Sequence, residues 1–120
     1  MNPLPAFFHA PARAWGKPVP HNARMSAHPD DQLMALIDRV AQRDESALKA
    51  LYDTTSSKLY GLAMRVVGKS EWAEDALQET FLHIWRSAGD YRASLSPPMA
   101  WLGLIVRSRS LDYLRRRAAE

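Results

Sequence analysis

SEWAEDALQETFLHIWRSAGDYRASLSPPMAWLGLIVRSRSLDYLRRR, residues 70–117, decides the fold. Ala73, Leu77, Phe81, Ile84 and Ala88 recur at three- and four-residue intervals, the period of a helix with one buried side. Trp72 and Trp85 flank that stripe. Ser70 is placed to cap the helix and Gly89 to stop it. A second helix then opens behind Ser96 as its cap, with Pro97 at the first helical position, where the missing N–H costs nothing. Trp101, Leu102, Ile105 and Val106 form its apolar part. Three polar features sit in series: Asp75, Gln78 and Glu79 on the first helix, Tyr91 and Arg92 in the loop from Gly89 to Ser96, and arginines along the second helix.

The pattern extends towards the N-terminus. Asp44 is placed to cap a long helix reaching about Val67, with the stripe Leu48, Leu51, Tyr52, Leu59, Leu62, Ala63 and Val66 and Gly68 as its stop. Within it, Thr54 to Ser57 form a weak patch, because hydroxyl and β-branched side chains compete with the helix. Before it, Leu33, Leu36, Ile37 and Val40 predict a helix over about residues 30–43, its first-turn amides within reach of Asp30 or Asp31. Four helices with short connections and no strand signal define an all-α, four-helix bundle-like domain over residues 30–120. Its expected core includes Leu36, Leu48, Leu62, Leu77, Phe81 and Ile105. Residues 1–29 differ in kind. Pro3, Pro5, Pro11, Pro18, Pro20 and Pro29 punctuate them, and the first carboxylate is Asp30. They read as a disordered or loosely attached arm, the alternative being a regulatory arm that uses Phe7, Phe8 and Trp15 as anchors. Met25, just before the first helix, is a candidate start.

The chain has 120 residues, enough for one domain, and no cysteine, which excludes disulfides, zinc–thiolate sites and cysteine nucleophiles. No apolar run approaches the roughly 18 residues that a membrane-spanning helix needs, so membrane insertion is not expected. The net charge of +3 is mild. Its distribution says more: from Trp101 to Glu120, Arg107, Arg109, Arg115, Arg116 and Arg117 stand against Asp112 and Glu120. A helix of that kind suits a polyanion. His9, His21, His28 and His83 have no ligand-spaced partners, and the Asp75/Glu79 pair lacks a metal-binding motif around it. No enzyme, cofactor or metal is expected. Tyr91, Arg92 and Trp101 place rings beside positive charge, as single-stranded nucleic acid requires. The same residues equally suit a packed loop, with Trp101 in the core and Tyr91 against it.

AEDALQETFLHIW, then a loop bearing Tyr91, then AWL followed by IVRSRSLDYLRRR, resembles the second conserved region of bacterial RNA polymerase sigma factors. It looks most like the small extracytoplasmic-function group, of which LYGLAMRVVGKSEWAEDALQETFLHIW is also typical; the resemblance covers about Asp31 to Arg117. It implies that Asp75, Gln78 and Glu79, with Leu82 nearby, meet the β′ clamp helices of core RNA polymerase. It implies that the loop from Tyr91 to Ser96, with Arg92 and Ser94, takes a flipped base of the non-template strand of the promoter minus-ten element. Trp101 matches a wedge tryptophan at the upstream edge of the melted bubble, and Leu102 stands where primary sigma factors carry a second one. Arg107, Ser108, Arg115 and Arg116 complete the implied DNA surface, Ser108 standing where the family often has asparagine. Pro97 and Pro98 are a further departure, at the loop exit. The resemblance also implies an anti-sigma factor as partner and a cytoplasmic, nucleoid-associated protein. The family's second helical domain would follow Glu120, so the chain reads as a fragment or a one-domain member. The rival readings are a stand-alone helical DNA-binding regulator and an interaction module that does not engage polymerase.

Overall fold

The computed structural model describes residues 4–10, 12–15 and 29–120. Four helices carry the domain: α1 (Pro29–Ala41), α2 (Glu45–Val67), α3 (Ser70–Ser87) and α4 (Pro98–Ala118). No strand occurs among the described residues. α2, α3 and α4 pack on one another, and α1 closes the bundle chiefly against α2. One apolar cluster lies between them, with Leu48, Leu51, Leu59, Phe81, Ile84, Leu102 and Val106 wholly buried. Leu77 and Ile105 join it as expected, whereas Leu36 and Leu62 are only half-buried at its margin.

The cap of α2 follows the sequence reading. Asp44 holds an extended backbone (φ −84°, ψ 104°), and its Oδ1 accepts from the backbone N–H groups of Ser46 and Ala47 at 3.0 and 3.2 Å. At the other end Gly68 takes φ 78°, where a side chain would be strained, and its N–H donates to the Met64 carbonyl. The hydroxyl patch does not interrupt the helix. Thr54 and Thr55 each donate to the carbonyl one turn back, at 2.8 Å, while the buried Ser56 hydroxyl has no partner among the described residues.

Three boundaries along α3 and α4 differ from expectation. The cap of α3 is Lys69 rather than Ser70, and no side-chain hydrogen bond forms there. Gly89 does not stop α3 through a left-handed turn. The helix tightens instead into a 3-10 turn over Ala88–Asp90, after Ala88 at right-handed φ and ψ, which satisfies the terminal carbonyls locally. α4 begins one residue later than expected, with Pro97 as cap and Pro98 in the first turn.

The α1–α2 turn is held by Arg43, at φ 67°. Its guanidinium donates to the Trp85 carbonyl and lies 5.3 Å from the centroid of the Trp85 ring. These contacts hold a backbone that non-glycine residues seldom adopt, and they fasten the turn to the C-terminal end of α3.

The arm is attached where it is described. Its 3-10 turns Ala6–His9 and Ala12–Trp15 bring Phe8 and Trp15 into the apolar cluster, both buried. Of residues 1–29, expected as a disordered or loosely attached arm, positions 1–3, 11 and 16–28, with the candidate start Met25, lie outside the described residues.

Candidate functional site

α3 turns Ala73, Ala76, Leu77, Thr80, Phe81, Ile84 and Trp85 inwards. That leaves Asp75, Gln78, Glu79 and Leu82 half-buried along its outer edge, one helical turn apart. The two carboxylates are not bare. The Tyr113 hydroxyl of α4 donates to Asp75 at 2.7 Å. Arg116 Nη2 donates to both oxygens of Glu79, at 2.6 and 2.7 Å. Burial and the Asp75 hydrogen bond raise the Tyr113 phenol above its ordinary range, so it stays a donor. The Glu79 carboxylate likewise holds the Arg116 guanidinium charged. Arg116, grouped by sequence with the DNA surface, therefore stands on the edge of the α3 strip. Tyr113 is a residue that the sequence reading missed. Its only signal was its place one turn before Arg117 on the helix that packs on α3.

Around these contacts cations and rings alternate. Lys69 Nζ lies 4.4 Å from the Trp72 ring, and the Arg117 guanidinium lies 5.5 Å from both Trp72 and Tyr113. Arg115 is exposed and has no ion-pair partner among the described residues. Arg107 and Ser108 are exposed further up the same helix.

The loop between α3 and α4 is a braced structure. The Tyr91 hydroxyl donates to the Ser96 carbonyl at 2.9 Å, spanning the loop. Its ring, half-buried, leans on Trp101 with centroids 5.2 Å apart. Arg92 Nη1 donates to the carbonyls of Gly89 and Tyr91 at 2.8 and 3.0 Å. Tyr91 and Arg92 therefore shape the loop, while Ser94 stands exposed upon it. Desolvation, then the Asp30 carboxylate, raises the Tyr91 phenol, so it remains protonated.

Beneath the loop lies a cavity of about 370 Å³, lined by Asp30, Met34, Tyr91, Ser94, Leu95, Ser96 and the two prolines. Leu95, 82% exposed, stands at its rim. A second hollow of about 260 Å³ lies along α4, between His83, Trp101, Leu104, Ile105, Ser108 and Arg109. Desolvation and the Arg109 and Arg86 charges push His83 below its ordinary value, so it is neutral near pH 7. Met34 and Leu104 were not singled out from sequence, and Asp30 only as a helix cap. Asp30 and Met34 reach the loop only because α1 packs beside the 3-10 turn before it. No group of residues suited to holding a metal occurs among the described residues, and none of the described helices is long and apolar enough to cross a membrane.

An acidic edge on one helix, a braced aromatic loop over a cavity and an arginine-bearing helix follow one another along residues 70–118. Residues 51–120 match the family described as Sigma-70 region 2, and the chain belongs to that family. It is 40% identical over 87 residues to the ECF RNA polymerase sigma factor SigK of Mycobacterium sp. (strain KMS), across 72% of this chain and 45% of the relative. It is 36% identical over 89 residues to the ECF RNA polymerase sigma factor SigK of Mycobacterium ulcerans (strain Agy99), across 74% and 48%. The protein of the same name from Mycobacterium tuberculosis (strain ATCC 25177 / H37Ra) is 37% identical over 83 residues, across 69% and 44%. The chain thus spans a little under half the length of the curated relatives it matches.

Proposed function

We propose that this chain is the core-binding and minus-ten-recognition domain of an alternative sigma factor, working in the cytoplasm at the nucleoid, with an anti-sigma factor as a further partner. It is a binding module, with no catalysis of its own. The observation that carries this reading is the α3 strip. Asp75, Gln78, Glu79 and Leu82 are all half-buried on a helix whose other side is fully in the core. A strip of that kind is rigid and presents acceptors in fixed places, which suits the β′ clamp helices of core RNA polymerase. The cavity below the loop supports the second half of the reading. Its volume and its mix of apolar walls and serine hydroxyls suit a base extruded from the non-template strand. Arg107, Ser108 and Arg115 on α4 supply the surface along which the strand runs.

Extruding a base costs a few kcal/mol, and stacking on a ring returns about 1–3 kcal/mol. The two nearly cancel, so the domain alone holds an already single strand and does not melt a duplex. The test combines two assays on the whole chain. Asp75→Lys with Glu79→Lys abolishes co-purification with core polymerase while the helical circular dichroism stays native; retained binding by the folded variant refutes the α3 assignment. In fluorescence anisotropy, a labelled minus-ten single strand binds more tightly than its duplex, and Tyr91→Ala removes the sequence preference. Equal affinity for duplex and single strand refutes strand capture.

A further inference from the structure

The reading above makes no use of the arm. Its described part lies on α2 and α3, where Pro5 is buried, Leu4 packs on the apolar cluster and a series of rings makes the central contact. Phe8 meets Trp15 edge-on at 5.1 Å, Trp15 meets Tyr52 at 5.3 Å, and Tyr52 meets Phe81 at 5.1 Å. The series of rings therefore runs from the arm through α2 into the middle of α3. The arm is shaped for insertion: Trp15 Nε1 donates to the Ala10 carbonyl at 3.2 Å, so the indole enters the cluster with its N–H satisfied by the arm's own backbone. Phe8 N–H similarly closes a turn on Pro5.

The two stretches of sequence are opposite in charge. α3 carries Glu71, Glu74, Asp75 and Glu79. Residues 1–29 contain Arg13, Lys17 and Arg24 and no carboxylate. Glu74 lies two helical turns before Phe81, on the side of α3 that faces the groove. Gln78 lies one turn further along the same side of α3. The groove that the arm fills thus borders the strip Asp75, Gln78, Glu79 and Leu82 on one flank, as Arg116 borders it on the other.

We propose that the groove between α2 and α3, floored by Tyr52 and Phe81, is a docking surface for a basic, aromatic-bearing segment, that residues 4–15 are its occupant in cis, and that this occupant competes with the cationic partner of the α3 strip. The competition rests on the polymerase reading of that strip; the docking surface does not. A tethered occupant acts at high local concentration, and one docked about nine-tenths of the time lowers a competitor's apparent affinity about tenfold.

Two measurements on the full chain separate these parts. In the first, a fluorescein-labelled peptide of residues 1–17 is titrated with wild type and with Phe8→Ala/Trp15→Ala. The peptide binds the double variant about tenfold more tightly, and salt weakens that binding. Equal binding to both chains, or to neither, overturns the docking surface. Trp15→Phe keeps a smaller ring in place and serves the same comparison if the double variant loses its helical circular dichroism; it too takes up the peptide more tightly than wild type. In the second, core RNA polymerase is titrated with the same chains and with Asp75→Lys/Glu79→Lys. The arm variant binds polymerase about tenfold more tightly than wild type. Equal or weaker binding by a folded arm variant overturns the competition. Undiminished binding by Asp75→Lys/Glu79→Lys overturns the polymerase reading instead, and the peptide titration then stands by itself.

Discussion

Asp44 shows how much one side chain can determine. It caps α2 through Oδ1, and its Oδ2 accepts from Arg39 Nε and Nη2 at 3.0 and 2.8 Å. The Ser46 hydroxyl, the Arg39 guanidinium and the Ala47 N–H hold its carboxyl at about 2, well below the usual carboxylate range. The folded state thus binds this proton less readily than the unfolded chain. Its stabilising effect is complete above the ordinary aspartate pKa of about 4 and drains away as pH falls towards about 2. Asp44→Asn keeps a cap acceptor but cannot titrate. In urea denaturation from pH 5 to pH 2, the stability gap between wild type and this variant narrows as pH falls; a constant gap contradicts the assignment. Arg43 offers a second test at this scale. Arg43→Ala keeps the left-handed strain and loses both Trp85 contacts, and should cost about 1–3 kcal/mol by denaturant midpoint. Arg43→Gly should recover part of that, since glycine accepts φ 67° freely. The cap of α2 was legible in the sequence because Asp44 acts on residues two and three places away. The Arg43 clip was not, because its partner lies 42 positions along the chain.

At the scale of elements, α3 and α4 are joined by their polar side chains as well as by their core. The sequence reading separated them into a polymerase helix and a DNA helix, since helical periodicity sorts residues within one helix and is silent about which faces meet. In the structure Tyr113 and Arg116 cross between the two. Arg115 and Arg116, adjacent in sequence, should therefore behave differently. Arg115→Ala should lower the slope of log affinity for single-stranded DNA against log salt by about 0.7, the value for one phosphate contact on a single strand. Arg116→Ala should change that slope less and should instead weaken binding to core polymerase, because Glu79 loses the donor that holds its carboxylate in place. A salt series in anisotropy with each variant decides between this and equal roles. The core itself behaves conventionally: Phe81, fully buried where the rings of α2 and α3 meet, should cost about 3–5 kcal/mol when cut to alanine. An unchanged denaturation midpoint rules that out.

For the molecule as a whole, the four helices were readable because their apolar stripes are local, and residues 51–120 match one family. The arm's attachment was legible only as the alternative reading, with Phe7, Phe8 and Trp15 as anchors. Which rings they meet was not legible: Phe8 and Trp15 stand among prolines without a periodic neighbour, and Tyr52 lies 37 positions beyond Trp15 (52 − 15). The floor of the groove also sets an expected order of events. Trp15 has a surface to dock on only once Tyr52 and Phe81 have packed together. The expectation is that the bundle of α2, α3 and α4 forms in the transition state and that the arm docks afterwards. In stopped-flow experiments Trp15→Ala should steepen nothing and leave the refolding limb of the chevron where it is, while unfolding in water accelerates by the whole of the lost stability. An arm docked in this way should act as a latch that sets how long the folded state lasts.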